Sequence, residues 1–165
     1  MKNFIIFLFL SFSFLSFAQA ELKVGFVKVD TILKDAPQSA ESNKRLEKEF
    51  KSRSEKLKKD IQALNDGEKK FRTDSITMSD DVQNQTQKKL QEKRIEIQRT
   101  ERELREDIDL RRREEVTKLQ NQVTIVIEKI ATSEKFDLIL YTGVAYASDS
   151  VDITSKVIKE LGALK

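Results

Sequence analysis

The chain of 165 residues contains no cysteine, no histidine and no tryptophan, and it has only four glycines and one proline. Without cysteine there is no thiol nucleophile, disulfide or cysteine-ligated zinc site, and without histidine there is no histidine-based triad or imidazole metal ligand. The common phosphate-binding motifs GxxxxGK[ST] and GxGxxG do not occur. The sequence therefore predicts neither an enzyme nor a bound cofactor or metal.

The first twenty residues have the three-part layout of a secretory signal peptide. Residues 1–3 carry a positive charge, residues 4–17 form an uncharged run with six phenylalanines, and Ala18 and Ala20 form an A-x-A cleavage site. The apolar run is shorter than the roughly 20 residues that a membrane-spanning helix needs. We therefore expect cleavage after Ala20 and an exported mature chain that begins at Glu21.

The rest of the chain divides into a charged middle and two apolar ends. Residues 41–130 contain 23 basic, 20 acidic and only 23 apolar residues, whereas residues 21–40 and 131–165 together contain 26 apolar residues in 55. Neither end forms a core alone, so the two ends are expected to meet. The predicted class is α+β, with a β-rich body from residues 21–36 and 131–165 and a long helical hairpin over residues 37–130.

The middle segment has the spacing of an antiparallel coiled coil. Apolar residues recur seven apart along each arm, at Phe50, Leu57, Leu64 and Phe71 and again at Leu90, Ile97 and Leu104. Residues 73–80 lack this stripe and are rich in cap and turn residues, which predicts the tip of the hairpin there. Pro37 suits the first position of the first helix, and Gly67 interrupts the first arm.

Acidic residues precede basic residues by four positions at eight places along the arms. Such pairs stabilise isolated helices by about 0.3–0.5 kcal/mol each, so they are predicted to support the sparsely buried arms. The eight pairs are Glu41–Arg45, Glu47–Lys51, Glu49–Arg53, Glu55–Lys59, Glu101–Arg105, Asp107–Arg111, Asp109–Arg113 and Glu114–Lys118.

The two apolar ends have the patterns of strands and of one short helix. Strands are predicted at Leu22–Val29, residues 136–141 and Val144–Ala147, and a last helix is predicted from Asp152 to Gly162. The predicted body core comprises Val24, Phe26, Val27, Leu138, Ile139, Leu140, Tyr146, Ile153, Val157 and Leu161. A core this small is marginal without disulfides, so oligomerisation is expected, although the number of copies stays open.

The mature chain resembles the Skp/OmpH family of periplasmic chaperones. The resemblance rests on Lys23–Asp30 after the signal peptide, on the charged hairpin, on residues 136–141, and most specifically on residues 144–157, where an Ala-Tyr strand runs into Asp-Ile-Thr. It implies a jellyfish-shaped homotrimer, in which three hairpins hang from a small shared β-barrel around a cavity. It also implies a periplasmic, ATP-independent holdase that keeps unfolded outer-membrane proteins from aggregating before membrane insertion.

Client contacts are expected on the distal arms. Each contact is weak, but three arms around one client would raise the overall affinity through effective concentration. The predicted client-binding residues are Phe71, Ile76, Met78, Val82 and Leu90. The alternative is that these side chains only close the end of the hairpin. Strands of outer-membrane barrels alternate apolar and polar residues, so a client offers both kinds of contact.

Two further partners and one other function are considered. The basic clusters at Arg111–Arg113, Lys58–Lys59 and Lys88–Lys89 are either solvated helix faces or a site for lipopolysaccharide or an anionic membrane surface. No nucleic-acid partner is expected, because the net charge is only +3 and acidic residues are interleaved. The alternative function is a structural or adaptor hairpin that docks another cell-envelope component. The break in the stripe between Phe71 and Leu90 favours the holdase.

Overall fold

The computed structural model describes residues 22–164, so the predicted signal peptide with Ala18 and Ala20 lies outside the described residues. The elements in chain order are β1 (Val24–Phe26), α1 (Val29–Asp35), α2 (Pro37–Asp74), a 3₁₀ turn (Ser75–Thr77), α3 (Asp80–Glu134), β2 (Leu138–Leu140) and α4 (Thr154–Ala163). Pro37 is the first residue of α2, as predicted. The α+β class and the long helical hairpin, formed by α2 and α3, are confirmed.

The small sheet joins the two ends of the chain. β1 and β2 are parallel, with Val24 opposite Leu138 and Phe26 opposite Leu140. On the other edge of β1, the Phe26 N–H donates to the carbonyl of Val151 at 2.7 Å, and the Phe26 carbonyl accepts the N–H of Ile153 at 2.9 Å. β1 is therefore held between two segments from the C-terminal end.

The core of the body lies between this sheet, the short helices and the root of the hairpin. Its buried members are Val27, Ile32, Ala36, Leu119, Val123, Val126, Ile130, Val157 and Leu161. The last third of α3 supplies four of them, which is why its apolar content rises towards its C-terminal end. One long helix thus belongs to both the arm and the body.

The first strand is shorter than predicted. The strand expected over Leu22–Val29 spans only Val24–Phe26, and Val29 is already the first residue of α1. The N–H of Lys28 donates to the Thr154 hydroxyl oxygen at 2.9 Å instead of to a neighbouring strand. A side chain from the far end of the chain therefore ends the pairing.

The strand predicted at Val144–Ala147 is wrong for the single chain. Within residues 22–164, no backbone group hydrogen-bonds to this segment, and an extended segment is a strand only when a second backbone pairs with it. The segment follows Gly143, whose φ of +71° makes a turn that few other residues adopt readily.

Two helix ends in the body depend on single residues. α3 ends at Glu134 because Lys135 adopts a left-handed conformation with φ of 56°, and the Phe136 N–H then donates to the Ala131 carbonyl at 3.0 Å. α4 begins at Thr154, whose N–H donates to the Asp152 carboxylate at 2.9 Å.

Among the helices of residues 22–164, none combines the length and apolar content required to cross a membrane.

Candidate interaction surfaces

The arms α2 and α3 pack along one apolar seam. Its buried members are Leu46, Phe50, Leu57, Leu64, Ile97 and Leu104, with Leu90 and Ile108 partly buried beside them. The residues spaced seven apart are the contact line between the helices, which confirms the predicted coiled-coil pattern. Phe71, the next residue of the stripe on α2, is only partly buried.

Ion pairs across the hairpin replace most of those expected along each helix. Five pairs join the arms, namely Arg45–Glu115 at 2.6 Å, Arg53–Asp107 at 2.7 Å, Arg111–Glu49 at 3.1 Å, Lys93–Asp60 at 3.4 Å and Arg94–Glu68 at 2.5 Å. Except for Glu115, whose side chain is only 12% exposed, the paired side chains are partly or well open to solvent, and such pairs contribute about 0–1 kcal/mol. They matter more for the register of the arms than for stability.

Six of the eight predicted pairs at four-residue spacing are wrong. Of the eight predicted pairs, only Glu41–Arg45 and Glu101–Arg105 come within 4 Å. Glu49 and Arg53, which were expected to pair with each other, each reach across the hairpin to α3. A carboxylate on the facing helix competes with one on the same helix, and sequence spacing on one arm does not reveal it.

The root of the hairpin is fixed by Glu115. Its carboxylate accepts hydrogen bonds from Arg45 at 2.6 Å and from the Ser42 hydroxyl at 2.8 Å. The bond from Arg45, followed by that from Ser42, holds the pKa of the Glu115 carboxyl below its usual value. This network marks the point where the body gives way to the arms.

The predicted client-binding residues do not share one environment. Ile76 in the turn is 89% exposed and Val82 at the start of α3 is 48% exposed. Phe71 and Met78 are partly buried, and Leu90 packs beside the seam. Four of the five residues therefore lie near the turn, and the fifth, Leu90, lies at the end of the seam.

The arms expose further apolar side chains that the sequence analysis missed. Ile95, Leu110 and Val116 on α3 are at least 40% exposed, and Ile61 on α2 is 37% exposed. The signal was available, because the first three are out of phase with the seven-residue stripe on α3. They are distributed along the arm as single side chains, which offers many weak contacts to a partner.

The body exposes an apolar sheet face. Alternate residues of a strand point to the same side, so the register places Val24, Phe26, Leu138 and Leu140 on one face. Leu138 and Leu140 are 45% and 38% exposed. The opposite face packs inward, since a Cβ added at Gly25 would contact Phe136, Ile139 and Ile153 at 3.1–3.3 Å.

The predicted body residues therefore fall into three groups. Val27, Val157 and Leu161 are fully buried in the single chain. Val24, Phe26, Ile139 and Ile153 are partly buried. Leu138, Leu140 and Tyr146 are exposed, with Tyr146 at 84%, and Tyr141 beside them is exposed as well. Burial of these exposed residues by a partner copy stays a prediction about the assembly.

A polar joint, formed by Lys28, Asp152 and Thr154, connects the two ends of the body. The Lys28 ammonium lies 2.8 Å from the Asp152 carboxylate. Burial raises the pKa of the Asp152 carboxyl, but the hydrogen bonds from Lys28 and Thr154 outweigh burial and bring it to about 2. The same contact with Asp152 raises the pKa of Lys28. Asp152 is therefore a carboxylate throughout the neutral range.

The predicted basic clusters differ in how they are neutralised. Arg111 contacts Glu49, Glu114 and Glu115, and Arg112 is 3.8 Å from Asp109. Lys58, Lys59, Lys88 and Lys89 are exposed and form no ion pair within residues 22–164. Arg113 is likewise exposed and forms no ion pair in the described part of the chain, so Arg113 and the lysine pairs are the cluster members available to an anionic surface.

The comparisons with known proteins agree with one another. The profile of a family described as outer membrane protein (OmpH-like) matches residues 23–161. Proteins named chaperone protein Skp are similar to this chain: 30% identity over 145 residues in Blochmanniella pennsylvanica, covering 87% of each chain, and 28% over 153 residues in Photorhabdus luminescens, covering 92% of this chain and 93% of the relative.

A solved structure shows the same fold. The crystal structure of an OmpH-like outer membrane chaperone from Caulobacter crescentus superposes with a TM-score of 0.76 at 19% sequence identity, covering 87% of this chain and 86% of the other. At that level of identity the similarity shows the fold alone.

Proposed function

Because this chain belongs to the family described as outer membrane protein (OmpH-like), we propose that it is a periplasmic, ATP-independent holdase chaperone. In this proposal it binds unfolded outer-membrane proteins in a cavity between helical arms and prevents their aggregation before membrane insertion. The relatives named chaperone protein Skp support the chaperone function. The holdase mechanism and the cavity are what the family resemblance implies, and the surfaces described above support them.

The observation that carries the proposal is the distribution of apolar side chains on the arms. Ile61, Ile76, Val82, Ile95 and Leu110 are exposed singly along both helices and the turn, and charged residues separate them. Such contacts are individually weak and accept many sequences. Several arms around one client would combine them into a tight complex through effective concentration.

The cavity requires several copies of the chain, and we propose a homotrimer. The apolar sheet face with Leu138 and Leu140, together with Tyr146, is the surface that the other copies would cover. Val144–Ala147, which has no strand partner in the single chain, would then complete a shared barrel. The hairpin supports this arrangement. The buried apolar residues of its two arms pack against each other within one chain, so the body is the part that remains for contact between copies.

Export is the remaining part of the proposal. Residues 1–20 would direct the chain across the inner membrane, with cleavage after Ala20, and the mature protein would act in the periplasm. A holdase there must work without nucleotide, and binding of the unfolded state suppresses aggregation by mass action alone. Lys58, Lys59, Lys88 and Lys89 would allow weak contacts with lipopolysaccharide or an anionic membrane surface.

Dilution from urea tests the function. The mature chain, residues 21–165, is present when a urea-unfolded outer-membrane barrel protein is diluted into buffer without nucleotide, and light scattering is followed. We expect suppression of scattering that saturates with added chaperone. Undiminished scattering in the presence of the folded, assembled protein would contradict the holdase and favour the adaptor hairpin.

A further inference from the structure

The end of the hairpin is held together differently from the rest of the arm. On the body side of Leu64 and Leu90, buried apolar side chains and ion pairs join α2 to α3. Between these two residues, along residues 65–89, no side chain is buried. The outermost ion pair between the arms in the described chain is Arg94–Glu68. The apolar seam therefore stops well before the turn.

The seam positions beyond Leu90 are polar on α3. The partly buried positions seven and four residues before Leu90 are Gln83 and Thr86. The Gln83 side-chain amide donates to the Ser75 carbonyl at 2.8 Å. Among residues 22–164, it is the one side-chain hydrogen bond between residues 80–90 of α3 and the segment that precedes α3. Phe71 therefore continues the apolar stripe on α2, whereas α3 has the amide of Gln83 and the hydroxyl of Thr86 at its seam positions.

The distal ends of both helices gain little stability from packing. Residues 67–74 of α2 and 80–90 of α3 contain no buried side chain, and most helical stability in proteins comes from the packing of an apolar face. Gly67 weakens α2 further, since a helical glycine costs up to about 1 kcal/mol relative to alanine. A Cβ at Gly67 would lie 3.1 Å from Cδ2 of Leu90, so the arms touch directly where the seam ends.

We propose that residues 67–90 open as one unit, and that the surface which binds an unfolded segment is the distal seam uncovered by that opening. The proposal rests on the proposed holdase function and names the surface that performs it. Opening adds Phe71 and Leu90 to Ile76 and Val82, which are exposed already. The occupant is an extended client segment with alternating apolar side chains, and it selects the open state.

Hydrogen exchange with and without a bound client tests the direction of this coupling. We expect the amides of residues 67–90 to exchange faster in the complex of the full mature chain with a urea-unfolded barrel protein, while amides around Leu57 and Ile97 stay unchanged. Slower or unchanged exchange over residues 67–90 would overturn the proposal, because the client would then bind the closed arm or another surface.

A matched pair of variants separates opening from simple apolar attraction. Thr86→Leu extends the seam and is expected to slow exchange of residues 67–90 by about fivefold, the effect of burying part of a leucine side chain. It should weaken binding of a dye-labelled, urea-unfolded barrel protein by a similar factor. Gln85→Leu adds the same side chain at an exposed position and should leave exchange unchanged and binding undiminished.

The two variants also distinguish failure of this proposal from failure of the holdase function. Both substitutions add one leucine, so a simply apolar surface binds the client equally well in the two variants. Equal binding by Thr86→Leu and Gln85→Leu, while exchange of residues 67–90 is slowed only in Thr86→Leu, would overturn the opening mechanism alone. If the wild-type chain fails to bind the client at all, the holdase function itself is wrong. Helical content measured by circular dichroism shows that both variants fold.

Discussion

At the scale of single residues, the polar joint of Lys28, Asp152 and Thr154 unites two segments that are far apart in sequence. Asp152 receives the Lys28 ammonium on one oxygen and the Thr154 N–H on the other, and the Thr154 hydroxyl accepts the Lys28 N–H. One carboxylate therefore starts α4 and anchors it beside β1. The sequence analysis placed Asp152 at the start of the last helix, but its pairing with Lys28 became visible only once the two ends were brought together.

Asp152→Asn is expected to destabilise the body by about 2 kcal/mol at pH 7, because the folded chain holds the pKa of this carboxyl at about 2, below its ordinary value of 3.8. A lowered pKa stabilises the fold above pH 4, and this contribution is lost as the pH falls towards 2. Urea unfolding of both proteins at pH 7, 3 and 2 should show the difference shrinking with pH. Asp35→Asn, at an exposed position of the body that forms no ion pair in the described chain, is the control. An equal difference at every pH would contradict the ionic role of Asp152.

At the scale of elements, the hairpin shows what spacing predicts and what it does not. The seven-residue recurrence identified Leu57 and Leu104 as contact residues, because burial of one helix face leaves a periodic signal. It did not identify the partners of Glu49 and Arg53, since these depend on which residue of α3 lies opposite, and the turn between the arms sets that register. Strand propensity at Val144–Ala147 likewise carries no information about a pairing partner.

Leu104→Ala is expected to lower the free energy of unfolding by about 2–4 kcal/mol, because it removes a buried side chain from the middle of the seam. Leu110→Ala, at a half-exposed position on the same helix, should change it by less than about 0.5 kcal/mol. Urea unfolding followed by circular dichroism checks both variants. Equal effects of the two substitutions would show that the arms do not pack along this seam.

At the scale of the whole molecule, the body of one chain leaves apolar surface uncovered. Leu138 and Leu140 share an outward sheet face, and Tyr141 and Tyr146 are exposed near it. The sequence analysis predicted Leu138, Leu140 and Tyr146 as core, because a sequence does not distinguish burial within a chain from burial between chains. Their exposure in the single chain is what a shared core of several copies requires.

The double substitution Leu138→Asp with Leu140→Asp is expected to reduce the solution mass from the oligomer to the single chain. Burying two carboxylates in an apolar interface without partners is far less favourable than leaving them in water. Leu110→Asp on the arm should leave the mass unchanged. Sedimentation equilibrium measures all three proteins. An oligomer that survives the double substitution would place the contact between copies elsewhere.

The mass of the complex between the mature chain and an unfolded barrel protein tests the holdase cavity most directly. Residues 21–165 and a urea-unfolded outer-membrane barrel protein are mixed by dilution without nucleotide, and the complex is weighed by native mass spectrometry. We expect three copies of the chain around one client. A folded trimer that binds no client, or complexes in which each single chain carries its own client, would contradict a cavity built between the arms.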